Sequence, residues 1–280
     1  MNDLMYNNIS EIENLFSNKK VAIFDLDGTI ADTESLHWEA YNELLEHYGV
    51  TLQKEHIQKY IGHSEVQIYK MIHEDFNIHF DEEKFFKDRI NKFLKLVQKK
   101  NLKPFPFIIE FLKKYKDSCS FMIVTSQIPT VVNNLLSFWN LDEYFSAQNR
   151  FFCHDGVYKK PEIYRNVAKY IGIEPITPDE VILFEDSPRY IQEAKKVGIS
   201  VVGIKHRYNA STLTSCDAIL TSEFQNKKID MNIMYRRIKQ EDKEQINDLY
   251  MKLLNNHGSN VDMGYRISRL GLWWIIYWRQ

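Results

Sequence analysis

Asp25-Leu26-Asp27-Gly28-Thr29 closes the apolar run Val21-Ala22-Ile23-Phe24 and sets two carboxylates one residue apart. Side chains two positions apart share a face of an extended backbone, so a turn at Gly28 brings both acids to one mouth. A carboxylate is a weak nucleophile, but it serves covalent catalysis when a cation screens its repulsion from a phosphate dianion. One acid then attacks while the other handles protons, a division of labour that implies Mg2+ beside the pair. An Asp-Gly after an apolar run also makes an ordinary turn. Only residues from elsewhere in the chain decide between turn and site.

The elements that must position such a site are legible as unbroken apolar runs. Val21-Ala22-Ile23-Phe24, Phe121-Met122-Ile123-Val124, Val181-Ile182-Leu183-Phe184 and Val201-Val202-Gly203-Ile204 lack the alternation of half-exposed strands. They read as strands covered on both faces, hence a parallel sheet. Helices are expected between them, such as Pro161 to Tyr170 stopped by Gly172 and Pro188 to Val197 stopped by Gly198. The fold class is therefore α/β, a doubly wound, Rossmann-like parallel sheet.

Residues 32–103 break this alternation and read as helices throughout. Leu36, Ala40, Tyr41, Leu44, Leu45 and Tyr48 recur at helical spacing ahead of Gly49. Ser64-Glu65-Val66-Gln67 forms a capping box for another helix, and Phe85, Phe86, Ile90, Phe93, Leu94 and Val97 mark a further one. A helical insert of this size just after the first strand is well placed to cover the site.

In an open parallel sheet the binding crevice lies at the carboxyl ends of the strands. The second apolar run ends in Thr125-Ser126, a hydroxyl and backbone N–H groups able to hold phosphoryl oxygens, although Ser126 also suits a helix N-cap ahead of Pro129. Lys159-Lys160-Pro161 offers a cation to offset developing negative charge, or simply a solvated pair. The third run leads into Glu185-Asp186-Ser187-Pro188. These acids, with Asp25 and Asp27, would make an oxygen-rich cage suited to Mg2+ rather than Zn2+.

Four motifs in this order, the Asp25-Leu26-Asp27-Gly28-Thr29 start, Thr125, Lys160 before Pro161, and Glu185-Asp186-Ser187, resemble those of the haloacid dehalogenase-like hydrolase superfamily. Asp32-Thr33-Glu34-Ser35-Leu36-His37 resembles the start of the helical cap in the subfamily of phosphoglycolate phosphatases, sugar phosphatases and β-phosphoglucomutases. The resemblance implies a core at 19–31 and 104–222, a cap at 32–103, and an N-terminal extension at 1–18. It further implies an aspartyl-phosphate on Asp25 and acid–base work by Asp27. Mg2+ would be held by Asp25, the Asp27 carbonyl and Asp186, with Glu185 assisting. Thr125 and Ser126 would bind phosphoryl oxygens, and Lys160 would offset charge. The expected activity is a phosphatase acting on a small phosphorylated metabolite.

Asp27 separates the chain from haloacid dehalogenases proper, which lack the second acid, and from phosphonoacetaldehyde hydrolases. A sugar phosphomutase is the alternative within the family, but β-phosphoglucomutases carry a cap arginine three residues after a glycine, where Gly62 is here followed by Glu65. A non-catalytic binding module of the same fold is the alternative of another class. Tyr190 stands where the resemblance expects glycine. Of the cap residues His37, Trp38, Lys59, His63 and His73, His37 is the candidate for touching substrate. The cap phenylalanines Phe76, Phe80, Phe85 and Phe86 read as its own small core.

At 280 residues the chain has room for one substantial core and an accessory domain. A net charge of −2 gives no basic excess for nucleic acid. Cys119, Cys153 and Cys216 lack metal-site spacing and read as buried, reduced thiols. Neither a leader nor a membrane-spanning segment is read, so a cytoplasmic location is expected. Oligomeric state is not legible. At 223–280, Met234 to Asp242 and the helical pattern through Leu253 resemble the opening of a GCN5-related acetyltransferase, without its pyrophosphate loop, and three tryptophans crowd the last eight residues. That tail reads as a truncated or frame-shifted fragment, a core-packing segment or a partner contact.

Overall fold

The computed structural model describes residues 5–6, 9–61, 63–154, 156–206, 209, 213 and 215–221; the expected acetyltransferase-like fragment at 223–280 and Gly62 lie outside them. Among the described residues, seven strands form one sheet. They are β1 (Met5–Tyr6), β2 (Val21–Phe24), β3 (Ser120–Thr125), β4 (Arg150–Phe152), β5 (Val181–Glu185), β6 (Ser200–Lys205) and β7 (Ala218–Thr221). Their spatial order is β1-β7-β6-β5-β2-β3-β4, and every pairing is parallel. The order reverses at β2, which lies between β5 and β3, so the crevice beyond its carboxyl end is the switch point where such sheets bind ligands.

Alternation along each central strand divides the core into two layers. Ala22, Phe24, Phe121, Ile123, Ile182 and Phe184 face one hydrophobic cluster, and Val21, Ile23, Met122, Val124, Val181 and Leu183 face the other. The first layer is covered by the 3-10 segment Ile9–Phe16 and by α5 (Pro106–Tyr115) and α6 (Pro129–Trp139). Phe24 stacks on Phe184 with ring centroids 4.7 Å apart and an interplanar angle of 5°. The second layer is covered by α7 (Lys160–Arg165), α8 (Val167–Ile171) and α9 (Pro188–Lys196). A fully buried phenylalanine or leucine in either layer contributes about 1.5–3 kcal/mol.

Between β2 and β3 run α1 (Glu34–Leu45), α2 (Lys54–Tyr60), α3 (Glu65–Phe76) and α4 (Glu82–Lys99). The Ser64 box is present: Gln67 N–H donates to Ser64 Oγ at 3.4 Å, and Ser64 N–H to Gln67 Oε1 at 2.9 Å. A third cluster joins Trp38, Tyr41, Leu45, Tyr60, Tyr69, Ile72 and Phe85, with Phe76, Phe80 and Phe86 packed against it. Helix α4 serves two clusters, because Ile90, Phe93, Leu96 and Val97 reach the sheet core instead.

Several elements differ from their sequence reading. The helix expected from Pro161 to Tyr170 is two helices, broken at Asn166 (φ −132°, ψ 37°). Its side-chain amide donates to the Glu162 carbonyl at 2.9 Å, taking the partner a continuous helix would give the backbone. Tyr48 is exposed, because α1 ends at Leu45 and a single 3-10 turn carries the chain to Gly49 (φ +70°). Residues read as an N-terminal extension supply β1 and the buried Ile9, Ile12 and Phe16. Cys119 and Cys216 are buried, whereas Cys153 is half-buried. No helix among the described residues is long and apolar enough to cross a membrane.

Candidate active site

Asp25 leaves the end of β2 still tied to the sheet, its N–H donating to the Phe184 carbonyl at 3.1 Å. The chain then turns through Gly28 at φ +71°. A Cβ at Gly28 would come within 2.6 Å of Asp186 Oδ2 and 2.9 Å of His206 Nε2, so the turn demands glycine on grounds of space as well as conformation. This close approach seats the first motif against the fourth.

Asp25, Glu185 and Asp186 offer carboxylate oxygens that all lie within 4.8 Å of one another. Lys160, at the start of α7, is buried among them, with Nζ 2.9 Å from both Asp25 Oδ1 and Glu185 Oε2. Glu185 Oε1 accepts from the Asp186 and Ser187 N–H groups at 3.2 and 3.1 Å, and the Tyr164 hydroxyl reaches Glu185 Oε2 at 3.4 Å. Asp186 meets His206 Nε2 at 2.8 Å and the Thr29 hydroxyl at 3.3 Å. Asn209 donates to the Asp186 carbonyl at 2.9 Å and to the Ile204 carbonyl at 2.8 Å, and its Oδ1 accepts from His206 N–H at 2.9 Å.

The electrostatics of this cluster are those of crowded acids. Burial and then the Glu185 charge push the Asp25 carboxyl up to about 7, against the pull of Lys160. Burial also raises Glu185 and Asp186 above the usual carboxylate range. Burial opposes the charge on Lys160, yet Asp25 and Glu185 hold its pKa well above the ordinary value. Asp25 Oδ1 is a buried oxygen that no donor satisfies with hydrogen-bond geometry, despite its ion pair with Lys160. Two buried carboxylates and the half-buried Asp186 against one buried ammonium, all with oxygen donors, fit a hard divalent cation.

Asp27 lies outside that cluster and is turned toward the helical insert. Its Oδ1 accepts from the Thr33 hydroxyl at 2.7 Å and lies 3.1 Å from His37 Nε2, while Gln127 Nε2 donates to its Oδ2 at 2.9 Å. Burial alone would raise this carboxyl, but the adjoining His37 ring and the three hydrogen bonds bring it down to about 2. His37 in turn stacks on Phe93, with centroids 3.9 Å apart, and meets Arg89 Nη1 at 3.2 Å through Nδ1. Arg89 is buried on α4 and grips Glu65 through Nε at 2.6 Å and Nη2 at 3.0 Å. Tyr41 and Tyr69 also donate to Glu65 Oε1, at 2.8 and 2.6 Å.

Thr125 is buried at the end of β3, where its hydroxyl accepts from Gln127 N–H at 3.1 Å. Ser126 beside it is exposed and does not cap α6; the N-cap is Ile128, whose N–H donates to Gln127 Oε1 at 3.1 Å. Trp38, Lys59 and His73 serve the insert itself, bonded to Glu34, Asp75 and the Ile78 carbonyl, and His63 is exposed. Four residues around the site escaped sequence reading: Gln127, Arg89, His206 and Asn209. His206 follows β6 directly, so a search of every strand end would have found it. Arg89 sits between Phe85 and Phe93 at helical spacing, a charge inside an apolar stripe.

A family model for haloacid dehalogenase-like hydrolases matches residues 22–204. A phosphorylated carbohydrates phosphatase of Thermotoga maritima is 29% identical over 192 residues, covering 68% of this chain and 87% of its own. The fructose-1-phosphate phosphatase YqaB of Escherichia coli is 24% identical over 183 residues, 65% of this chain and 95% of its own. Among solved structures, CbbY from Rhodobacter sphaeroides in complex with phosphate superposes with a TM-score of 0.60 at 19% identity, covering 72% of this chain and 93% of that one. A β-phosphoglucomutase from Clostridium difficile superposes at 0.55 and 20% identity, covering 84% and 99%. At these identities the structural likeness is one of fold.

Proposed function

The chain belongs to the haloacid dehalogenase-like hydrolases, and from that premise we propose that it is a Mg2+-dependent phosphatase of small phosphorylated sugars working through an aspartyl-phosphate. The single observation that carries the mechanism is the separation of two carboxylates one residue apart: Asp25 faces Lys160, Glu185 and Asp186, whereas Asp27 is held by Thr33, His37 and Gln127. Asp25 is the nucleophile: its carboxylate oxygen forms the new bond to phosphorus as the bond to the sugar oxygen breaks. Asp27 gives a proton to that departing oxygen, then takes one from the water that attacks the acyl phosphate and frees inorganic phosphate. Its ionised resting form suits the second step; the first needs the contacts from His37, Thr33 and Gln127 to loosen.

Lys160 offsets charge on the nucleophile and the transferring group, and Thr125 with Ser126 binds phosphoryl oxygens. Asp25, Glu185, Asp186 and the Asp27 carbonyl would hold the cation, which when bound screens the approach of the dianion and favours ionised Asp25. The sugar-phosphate class is supported by the names of the Thermotoga maritima and Escherichia coli relatives. The mutase alternative is disfavoured by Glu65, an acid fastened to Arg89, Tyr41 and Tyr69 where that reading needs a free phosphate-binding arginine. The test is phosphate release across sugar phosphates, phosphoglycolate and nucleotides, with and without Mg2+, for the wild type and Asp25→Asn. Release from sugar phosphates that needs both Mg2+ and Asp25 is expected. Interconversion of hexose 1- and 6-phosphates without release would overturn the phosphatase in favour of the mutase, and no turnover of any ester would favour a binding module.

A further inference from the structure

Lys160 is buried with three ammonium protons to satisfy and two carboxylate partners, Asp25 and Glu185. Its remaining side is met by an aromatic face: Nζ lies 4.3 Å from the centre of the Tyr190 ring. Tyr190 is the third residue of α9, half-buried, and packs on the second hydrophobic layer, so its position is fixed from beneath. The Arg189 guanidinium lies 5.5 Å from the same ring. A lysine reaches its target through a flexible four-carbon stem, and holding the ammonium still costs rotamer freedom. A ring face at this distance attracts the ammonium, most strongly where water is excluded.

We propose that Tyr190 is a positioning residue: its π face takes the third side of the Lys160 ammonium, keeps water from it, and aims it at Asp25 and Glu185. The geometric part of this inference stands on the contact itself; its kinetic part rests on the phosphatase reading. A lysine that offsets charge in the transition state, once loosened, lowers kcat more than it raises KM. A residue that only filled space would show no dependence on the electron density of its ring.

The experiment places phenylalanine carrying increasing numbers of ring fluorines at position 190, alongside Tyr190→Phe and Tyr190→Leu, and measures p-nitrophenyl phosphate turnover with Mg2+ together with Tm. Tyr190→Phe should keep kcat within about twofold, and Tyr190→Leu should lower it about tenfold with KM nearly unchanged. Across the fluorinated set, whose volumes barely change, log kcat should fall stepwise at constant Tm. Flat kcat along that series, or Tyr190→Leu as active as Tyr190→Phe, overturns the kinetic role. If Tyr190→Leu does not fold, the fluorinated series still decides. If the wild type turns over no ester, the phosphatase reading fails by itself. The contact is then judged by NMR of the Lys160 ε-methylene: an upfield ring-current shift supports it, and an unshifted resonance overturns it.

Discussion

The strand-end half of the site and its helical half meet at Asp25 and Asp27, and they treat charge in opposite ways. On the strand side, backbone geometry forces Asp25, Glu185 and Asp186 together and supplies one buried ammonium, leaving negative charge in excess. On the helical side the carboxylates are matched: Glu65 has Arg89 and two tyrosines, and Asp27 has Thr33, His37 and Gln127. Crowding pushes Asp25 up and donation pulls Asp27 down. The lesson is that a sheet can hold an unfavourable cluster at its carboxyl edge because its stability comes from the layers beneath, whereas Glu65 in the insert and Asp27 facing it are each met by matched donors.

The largest effect that breaks this contrast is loss of the nucleophile. Asp25→Asn should lower phosphate release by about 10³-fold or more, whereas Asp27→Asn should cost about 10²-fold on alkyl phosphates and less on p-nitrophenyl phosphate, whose leaving group needs little protonation. Steady-state assays with both esters check this. Next comes the helical side: Arg89→Met leaves Glu65 without its ion pair and should destabilise the protein by about 3 kcal/mol in urea unfolding.

A third effect separates the two acids by pH. Asp25 binds its proton more tightly in the folded state, raised from 3.8 to about 7. Its contribution to the metal-free fold is therefore full below its unfolded value and is lost as pH rises toward 7, an effect on the order of 2 kcal/mol after relaxation. Asp27, lowered from 3.8 to about 2, behaves in reverse: its contribution is present above its unfolded value and lost as pH falls through 2. Thermal melts in EDTA should show the decline between pH 4 and 7, and added Mg2+ should remove it. The smallest expected effect is Gln127→Ala, which deletes one hydrogen bond to Asp27 and should cost about 1 kcal/mol in urea unfolding.

What the sequence made legible follows from the range of the interactions. Val21–Phe24 and Val181–Glu185 are continuous apolar runs whose ends carry their chemistry in the next residues, so the strands and the acids at 25, 27, 185 and 186 could be read together. The Ser64 box is equally local, as both of its partners lie within one turn. Strand β4 was not legible, because three residues containing Arg150 become a strand only through pairing with β3. Gln127 was hidden for a different reason: its partner Asp27 is 100 residues distant, and a single amide has no periodicity to betray it. The break at Asn166 depends on a side chain competing with the backbone, which apolar spacing does not register.

Strand β2 is flanked on both sides, by β3 and β5, and its residues Val21 to Phe24 are wholly buried. Its amides should therefore exchange with solvent only when the whole domain opens, while the contacts of His37 and Thr33 with Asp27 are side-chain links that release in smaller fluctuations. The two halves of the reaction thus have different lifetimes under stress. Dilute denaturant should release the proton carrier before the nucleophile, leaving a population that still takes up the phosphoryl group from esters whose leaving group needs little protonation and is slow to give it back to water.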